Sequence, residues 1–143
     1  MTPSWVQALA RPVGRVVCVT VALVVVLAVA YQGFLGWDTE YDVDPVTGAQ
    51  SGPYQSWQVV GLGVAAVIAV ALATWFGEPV TAWLVSVGVL SWLWARDASA
   101  TDDSGLWGVG LMLLVPGLLI GLGAVVAITT AARSMERAAD PFV

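Results

Sequence analysis

The densest chemistry in the chain lies in Trp37-Asp38-Thr39-Glu40-Tyr41-Asp42-Val43-Asp44, where four carboxylates alternate with neutral side chains. A hard cation such as calcium takes roughly six to eight oxygen ligands, and a loop rich in aspartate can offer them. The spacing departs from the EF-hand pattern: no glycine follows the third acid and no glutamate stands at the twelfth position. Period two is strand spacing, which places Asp38, Glu40, Asp42 and Asp44 on one face and Thr39, Tyr41 and Val43 on the other. Carboxylates spread along a flat strand do not converge on one ion. The expectation is no metal, with a solvated acidic face that blunts a sheet edge. A cation-responsive site built from Asp38, Glu40, Asp42 and Asp44 is the sharper alternative.

Other chemistries are excluded by missing residue types. The chain has no histidine and one cysteine, Cys18, so transition-metal sites, Cys–His nucleophiles and CxxC redox motifs have no side chains to build them. Cys18 sits in an apolar run and reads as a small hydrophobe. Seven of the ten acids, Asp38, Glu40, Asp42, Asp44, Asp97, Asp102 and Asp103, fall in the loops expected to lie outside. No base or nucleophile is expected to face the bundle, so neither an enzyme nor a bound cofactor is expected. Pumps and proton-coupled transporters keep ionisable groups at membrane depth, and here none interrupts an apolar run.

The elements that carry these residues follow from composition. Hydrophobic residues make up 59% of 143 positions and charged residues 10%, with a mean hydropathy of +0.85. A soluble domain carries about 25% charged residues, so lipid must be this chain's solvent. Four apolar runs, about 16–34, 57–76, 80–95 and 105–132, are each read as a membrane span; a spanning helix needs roughly 20 residues. The third is short for the task, and the fourth, at 28 positions with Pro116 inside, is expected to tilt or kink. The expected fold is an all-α membrane protein, a single domain over residues 1–143. It is a bundle of four transmembrane helices with a short β-hairpin in the outer loop at about 35–56. Asp44-Pro45-Val46-Thr47-Gly48 would be the hairpin turn, with Gly48 taking the positive φ.

Orientation follows from the arginines, which are the only cations. Arg11 and Arg15 precede the first run, and Arg133 and Arg137 follow the last. The positive-inside rule then places both termini in the cytoplasm of a multi-pass cell-membrane protein. Arg96 is the exception, close enough to Asp97, Asp102 and Asp103 to be neutralised. Trp5, Val6 and Leu9 would lie along the inner surface as an amphipathic lead-in. Arg11 and Arg15, the apolar run and Ala28-Val29-Ala30 also mimic a secretory leader; the run is read as a retained span.

Small residues recur at helix-packing intervals. Gly61, Ala65, Ala69 and Ala73 repeat every fourth position in the second run, and Gly117-Leu-Leu-Ile-Gly121 is a GxxxG in the fourth. In lipid, close backbone approach through small residues supplies the contact that apolar burial supplies in water. These stripes are expected to pack the bundle itself, so that Gly121→Leu would force helices apart. Gln32 and Gln58 are expected to bond each other or interfacial water. Thr20, Thr74, Ser86 and Ser91 can bond back to their own helix carbonyls. Together these features point to a non-enzymatic accessory subunit or scaffold. Its partners would be the lipid bilayer and a membrane protein or a second copy of itself, not nucleic acid. A small transporter or channel with a neutral pathway, or a cation-responsive sensor, are the alternatives.

Overall fold

The computed structural model describes residues 4–38, 42–43, 45–48, 50–52, 54–102 and 105–139; for 4–11, 42–43 and 50–51 it describes the backbone alone. Four helices follow in order: α1 (Ser4–Phe34), α2 (Ser56–Trp75), α3 (Pro79–Thr101) and α4 (Trp107–Ala139). Three of them, α1 over Pro12–Phe34, α2 and α4, are long and apolar enough to cross a membrane. The fourth, α3, runs 23 residues, about 34 Å by helical rise. It is longer than the 80–95 run because Arg96-Asp97-Ala98-Ser99 continues its last turns. Its Thr81, Ser86, Ser91, Trp83, Trp92 and Trp94 make it less apolar than the others.

The chain runs up and down, and side chains locking neighbouring helices show it. Phe34 near the end of α1 fills the surface of Gly61 near the start of α2, and Trp94 late in α3 lies over Gly110 early in α4. Trp83 early in α3 donates its indole N–H to the Leu119 carbonyl midway along α4 at 3.0 Å. One end of the bundle therefore carries both helical termini of the chain and the α2–α3 turn; the other carries the two longer connections. Helices α2 and α3 touch each other and both outer helices, whereas α1 and α4 do not pack together. The core gathers along this central pair: Leu23 and Leu27 of α1, Ala66 and Val70 of α2, Ala82, Val87 and Leu90 of α3, and Leu122 of α4. Leu122 is the one buried residue of α4. A helix touching only two others leaves most of its surface to solvent or lipid, which is where the valines and leucines of α1 and α4 sit.

The expected β-hairpin is corrected: the fold is all-helical. Among the described residues of the α1–α2 connection, pairing amounts to Asp42 opposite Ser51 and Val43 opposite Gln50. Two residues a side do not make a hairpin; even full-length two-stranded hairpins are marginal alone, and this contact packs on no helix. The turn chemistry is nonetheless present, with Gly48 at φ 69°. Glu40, Asp44, Thr39 and Tyr41 lie outside the described residues. Of the four runs read as spans, three lie in helices that meet the demands of length and apolarity for a crossing, those of α1, α2 and α4. The lead-in at Trp5, Val6 and Leu9 is also not separate, since α1 continues unbroken from Ser4 through Pro12; those side chains lie outside the description. Pro116 likewise sits inside a continuous α4, where its missing N–H frees the Met112 carbonyl.

Candidate functional site

The end carrying the termini is organised by the α2–α3 turn. Helix α2 closes with Gly77 at φ 93°. The Glu78 N–H reaches the Ala73 carbonyl at 3.1 Å and the Gly77 N–H the Thr74 carbonyl at 2.9 Å. This is the paired bonding of a Schellman cap, which a left-handed residue permits. Arg15 of α1 reaches across this turn, donating to the Phe76 carbonyl and pairing with Glu78 at 3.1 Å. Glu78 also accepts from the Thr81 hydroxyl at 3.4 Å. From the other side, Arg133 of α4 donates to the Thr74 carbonyl at 3.4 Å. A cleft of about 400 Å³ opens here, lined by Thr74, Gly77, Pro79, Thr130, Arg133, Ser134 and Arg137. Two of the arginines read as topology markers, Arg15 and Arg133, are thus built into one turn, which their sequence positions did not reveal.

At the opposite end, Gln58 is fully buried. Its amide nitrogen donates to Asp38 at 2.9 Å, and its carbonyl oxygen accepts from the Gln55 N–H. Gln58 therefore bonds a carboxylate of the acidic segment, not Gln32, which is exposed. Asp38 joins the acidic segment to the bundle instead of standing on a solvated face. Tyr31 is buried between Leu35 and Leu93, with Tyr54 and Asp97 the polar side chains around its hydroxyl. Arg96 pairs with Asp97 at 2.8 Å and lies over the Trp92 ring, 5.7 Å from its centroid. Asp102 accepts from the Trp107 N–H at 2.6 Å and so caps α4. Among the described residues no three His, Cys, Asp or Glu side chains gather at metal-binding distance.

The small-residue stripes are placed unequally. Gly61 lies under the Phe34 ring, and Ala65, Ala69 and Ala73 line a groove of about 480 Å³ between α1 and α2. Gly117 and Gly121 are exposed, and a Cβ built on either meets no other part of the chain within 4 Å. They border a second apolar groove, about 370 Å³, between α2 and α4, whose floor includes Ala66, Leu90 and Leu122 and whose rim includes Gly63 and Val67. The glycines of α4 that do pack against the bundle are Gly110 under Trp94 and Gly123 beside Trp83. The signal that could have found them is a tryptophan on one helix at the depth of a glycine on the next.

Three of the hydroxyls expected to bond back to helix carbonyls, those of Thr74, Ser86 and Ser91, do not, and the Tyr31 hydroxyl joins them. Thr74, Ser86, Ser91 and Tyr31 each bury a hydroxyl oxygen without a hydrogen-bond partner. Leaving such a group unpaired costs about 1–3 kcal/mol.

This build, an all-α bundle with three helices fit to span a bilayer and an apolar exterior, is that of a helical membrane protein. Comparison with family models, curated proteins and solved structures finds no match to the chain.

Proposed function

We propose that the chain is a non-enzymatic accessory subunit or scaffold of the cell membrane that works by lateral association of its helices. The observation that carries this is the open GxxxG face of α4: a Cβ added at Gly117 or Gly121 meets nothing of the bundle within 4 Å. A small-residue face left unpacked lets a neighbouring helix bring its backbone close. The rim residues Gly63 and Val67 of α2 widen the groove to which that helix would fit. In this reading α3 crosses the bilayer with its three neighbours. Both termini are cytoplasmic, supported by Arg15, Arg133 and Arg137 at one end and the acidic segment at the other. The test is affinity isolation from native membranes in mild detergent with the wild type and with Gly117→Leu/Gly121→Leu. Because the added side chains enter open space, the double variant should keep the wild-type melting temperature and lose a stoichiometric partner. Co-isolation unchanged in the double variant would remove α4 as the contact face.

A second reading, passage of a small neutral solute, is favoured by the unpaired hydroxyls. Tyr31 borders the α2–α4 groove at one end, Thr74 borders the basic cleft at the other, and Ser86 lies at a depth between them. Proteoliposome swelling in glycerol no faster than in protein-free vesicles would eliminate it.

A further inference from the structure

We propose that the cleft between the α2–α3 turn and the end of α4 binds the phosphate of an anionic phospholipid headgroup. Arg133 and Arg137 stand four residues apart, on one face of α4, and both line the cleft. Among the described residues no carboxylate lines it. The nearest acid on the turn, Glu78, is held by Arg15 and Thr81, so it does not neutralise the α4 arginines. Among the described residues neither Arg133 nor Arg137 has an acidic partner. Arg133 is anchored to the Thr74 carbonyl through one nitrogen alone, which leaves most of its five N–H donors for an incoming anion.

A second observation points to a ligand independently of charge. Thr74 lines the cleft, is 2% exposed, and its hydroxyl is buried without a partner. A phosphate oxygen is the acceptor that such a donor lacks. Thr130 and Ser134 add hydroxyls to the same wall. Gly77 keeps the opening clear, since a Cβ there would stand 3.2 Å from the Arg133 guanidinium. Guanidinium binds phosphate through two parallel N–H bonds, where an ammonium offers a point charge. Basic pockets between helices at a membrane interface suit phospholipid headgroups for this reason. The proposal rests on the reading that the bundle spans a bilayer, which puts this end at headgroup depth.

The test uses the full chain in nanodiscs of phosphatidylcholine with and without phosphatidylglycerol, and in detergent with inorganic phosphate. Two arginines near an anionic surface correspond to a preference of roughly thirtyfold for phosphatidylglycerol among retained lipids. That enrichment, read by native mass spectrometry, should fall close to unity in Arg133→Gln/Arg137→Gln and persist in Arg96→Gln at the far end. The isosteric Thr74→Val should lower it in part without loss of folding, because the hydroxyl it removes has no partner to lose. Equal enrichment in the wild type and the double variant overturns the site. A melting-temperature rise with inorganic phosphate matching that with phosphatidylglycerol overturns the lipid as source. A protein that does not float with vesicles overturns the membrane reading instead, a separate failure from insertion without lipid preference.

Discussion

Replacing Gly77 by alanine should be among the most damaging single-methyl changes in the chain, and the cost divides into two parts that can be separated. Gly77 sits at φ 93°, where an L side chain crowds its own carbonyl; left-handed backbone costs a non-glycine residue about 1–2 kcal/mol. The new Cβ would also overlap the Arg15 guanidinium. Relief requires Arg15 to leave the Phe76 carbonyl and Glu78. The Arg15 side chain is 51% exposed, so that ion pair contributes no more than about 1 kcal/mol. The total is about 1–3 kcal/mol. Reversible unfolding in mixed micelles, followed by far-UV circular dichroism against mole fraction of denaturing detergent, reads it out. In an Arg15→Gln background the second part should vanish, leaving the backbone part alone. A loss below about 0.5 kcal/mol in the wild-type background, the scale of an ordinary surface change, would refute the left-handed cap. An equal loss in both backgrounds would refute the arginine contact while keeping the cap.

Other expectations follow from single contacts. Asp38→Ala strands the buried Gln58 amide and should lower stability by about 1–3 kcal/mol, whereas Asp38→Asn keeps an acceptor and should lose less; equal losses measured in the same micelle titration would show that Gln58 has another partner. With Cys18→Ala, a cysteine at Ser51 should react with an impermeant maleimide in intact cells and one at Ala138 only after permeabilisation. The reverse pattern overturns the proposed orientation. Gly110→Ala puts a methyl 2.5 Å from the Trp94 ring and should cost about 1–3 kcal/mol, while Gly121→Ala should be neutral or slightly stabilising; similar melting temperatures would refute the difference in packing.

The helices were legible because their signal is long and redundant: Val16 to Phe34 or Gly105 to Ala132 could lose several residues and still read as apolar. Their ends were less so. Arg96 and Asp97 look like loop residues in sequence, yet α3 carries them, with their charges paired to each other and the Arg96 guanidinium over the Trp92 ring. The hairpin failed for the opposite reason. Alternation in Asp38–Asp44 measures what each side would face if a strand had a surface to lie on, and the described pair, Asp42 and Val43 with Gln50 and Ser51, packs on no helix. Gln58 was misassigned because glutamine near a helix start reads as interfacial; nothing in its neighbours announces that Asp38, twenty residues earlier, turns back to it. The GxxxG was found but its use was not, since the motif states only that a helix can be approached closely. Which helix approaches depends on the tryptophans of α3, and those select Gly110 and Gly123.

The departure of α3 from the apolarity of its neighbours is explained by where it sits. A helix at the edge of the bundle must satisfy lipid over most of its circumference, so α1 and α4 are nearly uniform valine, leucine, alanine and glycine outside their ends. Helix α3 touches all three others, and its inward residues Ala82, Ser86, Val87, Leu90 and Leu93 are buried by protein. Protein can pay the energetic cost of a hydroxyl or an indole N–H where lipid cannot, as when Trp83 bonds the Leu119 carbonyl beside Gly123. Polarity is therefore concentrated in α3, one of the two central helices whose surroundings tolerate it. The same arrangement leaves the GxxxG of α4 facing outward: α3 already takes the Gly110–Gly123 side of that helix, so Gly117 and Gly121 are free for another. Central burial of a less apolar helix and an open small-residue face on the peripheral one are two results of a single packing choice.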